Sequence, residues 1–192
     1  MGISRAFLGA GLFVLLPILL FHRIRAATGE PIDRASEGPL VYFTLRPVGA
    51  LFFAGLIAWL VNPATMAWAS VPLPTKVRAL GMAAGLVGGL LLVWTLHCLG
   101  KNLTDTVVTR KAATLVTRGP YRWVRHPFYD AVALLLASVA LITANAFLFL
   151  CGAIVLALIW KRTRKEEELL LARFGNQYRA YMIRTGRFFP KP

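Results

Sequence analysis

The chain has 192 residues, is 57% hydrophobic and carries a formal net charge of +14. A soluble domain of this length needs more polar surface, and several apolar runs approach or exceed the roughly 20 residues that a helix needs to cross a bilayer core. The expected fold class is an all-α integral membrane protein, a single domain over residues 1–192, and the basic excess is expected to follow membrane topology rather than nucleic-acid binding.

The first apolar run is AFLGAGLFVLLPILLF, residues 6–21. A secretory signal carries its basic residues before the run, whereas here HRIR follows it. This predicts a retained helix with its N-terminus outside, and Pro17 is tolerated in it as a kink. Residues 22–40 are polar and rich in Gly, Pro and charge. The second run spans about 41–61 and ends at Asn62-Pro63. Residues 62–75 carry no charge but hold Trp68 and three prolines, which suits an interfacial loop.

The third run, about 77–99, contains Gly81, Gly85 and Gly89 at four-residue spacing. Small residues so spaced let another helix approach closely, within the monomer or between copies. They lack the strand-turn-helix context of a nucleotide-binding loop. Residues 1–100 thus hold three spans, and residues 101–192 are the expected catalytic half.

Residues 131–160 form one long apolar stretch, roughly 45 Å as a straight helix, against a core of about 30 Å. Thr143-Ala144-Asn145-Ala146 interrupts it. Two helices with a tight turn are expected, giving five spans; one strongly tilted helix is the alternative. With five spans and the N-terminus outside, 19 of the 22 basic residues and all eight acids fall on the cytoplasmic side. Polar chemistry is therefore expected on one face, in a multi-pass protein of a prokaryotic cytoplasmic membrane. Cys98 and Cys151 lie within apolar runs, and His22, His97 and His126 are far apart, with His97 alone beside a cysteine, Cys98. Neither a disulfide framework nor a metal site is expected.

Two polar segments remain. In GPYRWVRHPFYDAV, residues 119–132, Gly119-Pro120 signals a turn. His126 is held extended by Pro127, and Pro127 suits the first turn of the next helix. Such a helix start suits a carboxylate or phosphate. In the tail, Arg162, Glu166, Leu170, Phe174 and Tyr178 recur every four residues, with Tyr181 three later. They share one helix face, and Gly175 falls within or near the end of that helix. Ionisable groups where a span leaves the membrane often mark sites.

Taken together, LVTRGPYRWVRHPFY, about thirty apolar residues, then Arg162, Glu166-Glu167, Leu170, Phe174-Gly175, Tyr178, Tyr181 and a final Phe-Pro resemble the isoprenylcysteine carboxyl methyltransferase family. That family also looks like bacterial phospholipid methyltransferases. The resemblance covers residues 114–190. It implies S-adenosylmethionine as cofactor, and a lipophilic acceptor reached from the bilayer. By motif position it implies cofactor contacts at Leu115, Val116, Gly119, Pro120, Tyr121, Val124, Arg125, His126, Pro127, Tyr129, Glu166 and Glu167. Arg162 and Glu166 would be catalytic, with Arg162 orienting an acidic acceptor.

The sequence departs from the family pattern at Asp130, where Gly is frequent, and at Ala113, where His is frequent. Carboxyl O-methylation is the expected activity. Phospholipid N-methylation, a nicotinamide-dependent reductase of the sterol-reductase kind, and a non-enzymatic binder of anionic lipid are the alternatives.

Overall fold

The computed structural model describes residues 2–27, 39–103 and 114–191. Glu30, Asp33, Glu37, Asp105 and Ala113 lie outside the described residues. The described chain is helical: α1 (Gly2–Ala26), α2 (Pro39–Val61), α3 (Thr75–Leu99), α4 (Pro127–Thr143), α5 (Ala146–Phe174) and α6 (Asn176–Arg184). Short 3-10 turns occupy Pro63–Ala69, Gly100–Asn102 and Gly119–Arg122. Extended pairing among the described residues is limited to two isolated bridges, Ser70 with Asn145 and Val124 with Gly186.

Helices α1, α2, α3 and α5 are long and apolar enough to cross a membrane. Helix α4 is apolar but only 17 residues long, about 26 Å at the helical rise. Large apolar side chains such as Phe13, Ile24, Leu90 and Phe149 are exposed around the bundle. Such a surface suits lipid and would be a liability in water.

The stretch 131–160 is two helices. Ala144 adopts a left-handed conformation, φ 49°, and ends α4. Asn145 then caps α5 by accepting from the Leu148 amide at 3.1 Å, while its Nδ2 donates to the Met66 carbonyl at 2.9 Å. An Asn at this point satisfies a helix-start amide that the apolar surroundings cannot, which is why the turn falls where it does.

The glycine stripe of α3 packs inside the monomer. A Cβ on Gly81 would lie 2.8 Å from Leu141 Cβ, and one on Gly88 would lie 2.9 Å from Leu134 Cβ, both on α4. Gly85 faces Ser138 of the same helix. The expected third member, Gly89, instead faces Leu15 of α1. A helix has 3.6 residues per turn, so a strict four-residue stripe drifts around it and Gly88 takes the third place.

The bundle has two chemically distinct ends. At one, Arg5 donates to the Leu60 and Val61 carbonyls, Val71 N–H donates to the Ala144 carbonyl, and Arg78 donates to the Ile142 carbonyl. At the other end, Ala26, Leu96, Leu103 and Ala131 form an apolar cluster. Beneath it lie the segment 114–126, the outer half of α5, and α6.

Candidate active site

The segment before α4 is shaped by backbone constraints. Gly119 has φ +61°, and a Cβ there would collide with Cys98 Sγ and crowd Trp94 of α3. Only glycine fits so close an approach at that φ. Pro120 is buried and opens the 3-10 turn. Pro127 is buried at the first position of α4, and His126 precedes it in a non-helical conformation.

The C-terminal residues then strap this segment down. Arg125 N–H donates to the Gly186 carbonyl at 2.9 Å, His126 N–H to Arg187 at 3.1 Å, and Gly186 N–H to Trp123 at 3.2 Å. Arg125 Nη1 also donates to the Thr185 and Met182 carbonyls.

Glu167 sits at the centre of this arrangement, buried. Arg125 Nε donates to its Oε1 at 2.8 Å, His126 Nε2 lies 3.2 Å from the same oxygen, and Arg187 pairs with Oε2. An ionised carboxylate only accepts, so this contact makes Nε2 the protonated nitrogen of His126. The Glu167 hydrogen bond raises the Arg187 guanidinium further above its ordinary range.

Glu166 is one residue away, about 100° around the helix, and faces elsewhere. Its Oε2 accepts from the Tyr129 hydroxyl at 2.8 Å. The Tyr129 ring stacks on His126 with centroids 5.5 Å apart and planes 16° from parallel.

These groups border a cavity of about 140 Å³. Of the residues expected at the cofactor, Leu115, Val116, Tyr121, Arg125, His126, Tyr129 and Glu166 line it. Gly119, Pro120, Val124, Pro127 and Glu167 stand behind that wall, in the turn, the strap and the ion cluster. Arg162 is half-buried on α5 one turn before Glu166 and is also off the wall.

The expected apolar stripe is present: Leu170, Phe174, Tyr178 and Tyr181 join Glu166 on the wall. It is carried by two helices, because Gly175 turns with φ +51° between α5 and α6. Tyr181 donates to the Tyr121 carbonyl at 2.6 Å, and burial raises the pKa of Tyr121, Tyr178 and Tyr181. Sequence reasoning missed Arg187 and the strap; an arginine just before the closing Phe-Phe-Pro was the available signal. It also missed Asn102, Thr114 and Phe128, which line the cavity without any motif to mark them.

A second, apolar cavity of about 330 Å³ lies between α1 and α2, floored by α4. Phe128 lines both cavities.

The family model for the isoprenylcysteine carboxyl methyltransferase (ICMT) family matches residues 79–172. The rat protein-S-isoprenylcysteine O-methyltransferase (Rattus norvegicus) is 28% identical over 129 residues, 64% of this chain and 44% of that protein. The nickel-cobalt-cadmium resistance protein NccN of Alcaligenes xylosoxydans xylosoxydans is 33% identical over 82 residues, 43% of this chain and 38% of that one. The chain thus spans less than half the length of either relative. The structure of the eukaryotic intramembrane Ras methyltransferase ICMT superposes with a TM-score of 0.56 at 21% identity, over 97% of this chain and 67% of that one. That likeness establishes a common fold. The matched residues run from the glycine stripe of α3 through the strap-bound segment to the carboxylates of α5, and over that stretch the chain is similar to the isoprenylcysteine carboxyl methyltransferase family.

Proposed function

We propose that the protein is an S-adenosylmethionine-dependent methyltransferase acting on a lipophilic acceptor, and that the acceptor group is a carboxylate such as that of an isoprenylcysteine. The observation that carries this reading is Phe128, a single side chain shared by a polar cavity and an apolar one. A water-soluble nucleoside and a membrane-borne acceptor need adjoining sites of opposite polarity.

The polar cavity suits the cofactor. It combines rings at Tyr121, His126, Tyr129 and Phe174, for a nucleobase and ribose, with the Glu166 carboxylate, for a ribose hydroxyl or an ammonium. When bound, S-adenosylmethionine supplies an electrophilic methyl group. A carboxylate acceptor is already ionised at neutral pH, so the protein has only to bind, align and exclude water. Glu166, held by Tyr129, fixes the cofactor side. Arg162, one turn nearer the apolar end of α5, orients the acidic acceptor. Glu167 keeps His126 and Arg125 in place from behind. His126 Nε2 is committed to Glu167, which leaves it poorly placed as a base for an amine acceptor and favours O- over N-methylation.

The apolar cavity reaches side chains exposed on the bundle surface, Leu16 and Phe53, which suits an acceptor arriving from lipid. The excess of basic residues at the site end supports a cytoplasmic orientation of site and tail by the positive-inside argument. The test is transfer of a labelled methyl group to a prenylated N-acetylcysteine. The free acid should be methylated and the corresponding amide should not; equal labelling of both would reject the carboxylate as the acceptor.

A further inference from the structure

Buried polar side chains are paired in the large majority of cases, and each exception calls for an explanation. Tyr178 is such an exception. Its ring is 1% exposed, and among the described residues its hydroxyl has no hydrogen-bond partner. An orphaned buried hydroxyl is costly to a fold. Its neighbour Tyr181, one turn on in the same helix, shows the ordinary solution by donating to the Tyr121 carbonyl.

Position indicates what the missing partner is. Tyr178 lies on the wall of the polar cavity together with Arg125 and Glu166, and does not line the apolar one. The charges of Glu167, Arg125 and Glu166 all act on its phenol, while burial keeps the hydroxyl protonated. A protonated phenol is a donor, and the group that fits it is an acceptor oxygen or nitrogen of whatever fills this cavity.

We propose that Tyr178 is a cofactor-binding residue whose hydroxyl donates to an acceptor atom of the bound adenosyl nucleoside. This rests on the methyltransferase reading above. It moves Tyr178 from the packing stripe into the site. It also gives α6 a binding function: the short helix after Gly175 closes the cavity with a polar contact as well as with bulk.

The test compares Tyr178→Phe and Tyr181→Phe with the unaltered protein in detergent. Two quantities are read, the Kd for S-adenosylhomocysteine and the melting temperature without ligand. Tyr178→Phe should weaken binding about 2- to 13-fold, equivalent to roughly 0.5–1.5 kcal/mol for one hydrogen bond. Its unliganded melting temperature should stay level or rise, because a buried orphan has been removed. Tyr181→Phe should instead lower the melting temperature, because it strips a partner from the Tyr121 carbonyl. An unchanged Kd in Tyr178→Phe overturns the proposal, and so does a drop in its unliganded melting temperature like that of Tyr181→Phe. Failure of the unaltered protein to bind S-adenosylhomocysteine is a separate result, which overturns the methyltransferase reading itself.

Discussion

Removing the Glu167 carboxylate tests whether the strap and the segment before α4 are held by one buried anion. Glu167→Ala strands Arg125, whose side chain is 9% exposed, and His126, at 4%. Arg125 keeps its carbonyl partners at Thr185 and Met182, which limits the loss. Breaking a buried pair from one side costs about 3–5 kcal/mol. Arg187→Ala attacks the same cluster from outside: Arg187 is 33% exposed and leaves Glu167 still paired with Arg125, so a cost of about 1 kcal/mol is expected. At about 2–4 °C per kcal/mol for a chain of this size, Glu167→Ala should lower the melting temperature by on the order of 6–20 °C, and Arg187→Ala by only a few degrees. The assay is thermal unfolding of the detergent-purified variants, followed by tryptophan fluorescence. Equal shifts for the two variants, or a larger one for Arg187→Ala, would refute the placement of Glu167 as the buried centre of the cluster.

Other outcomes follow from the same geometry. Arg162→Ala and Glu166→Ala should each abolish methyl transfer while leaving a folded protein with a near-normal melting temperature; turnover retained by either purified variant removes that residue's assigned role. Asn145→Ala deletes both the α5 cap and the bond to Met66, and should cost about 1–3 kcal/mol in thermal unfolding. Gly85→Leu places a side chain against Ser138 and Phe7. Overpacking of about 1–3 kcal/mol or more is expected, read as loss of folded protein on size-exclusion chromatography.

What was legible in the sequence was whatever depends on neighbours along the chain. The helical run after Pro127, the interruption at Thr143–Ala146 and the stripe from Glu166 to Tyr181 all rest on local periodicity, capping and proline geometry. Each is present, although Gly175 divides the stripe between two helices. What was not legible depends on distant backbone. The strap joins Trp123–His126 to Gly186–Arg187, roughly sixty residues apart, through main-chain hydrogen bonds that leave no side-chain pattern. For the same reason Glu166 and Glu167 read as equivalent neighbours. Only the fold shows that one faces the cavity and the other the arginines. The glycine stripe was recognisable as a packing face, but the drift that replaces Gly89 with Gly88 depends on which helix lies opposite.

The central claim is that the cavity bounded by Glu166, Tyr129 and Tyr178 holds an adenosyl nucleoside. The most direct test is calorimetric titration of the detergent-purified protein with S-adenosylhomocysteine, with NADPH as the control. Micromolar binding of S-adenosylhomocysteine, lost in Glu166→Ala, and no binding of NADPH is the result expected. Binding of NADPH and not of S-adenosylhomocysteine would contradict the account and place the protein's chemistry with the membrane reductases.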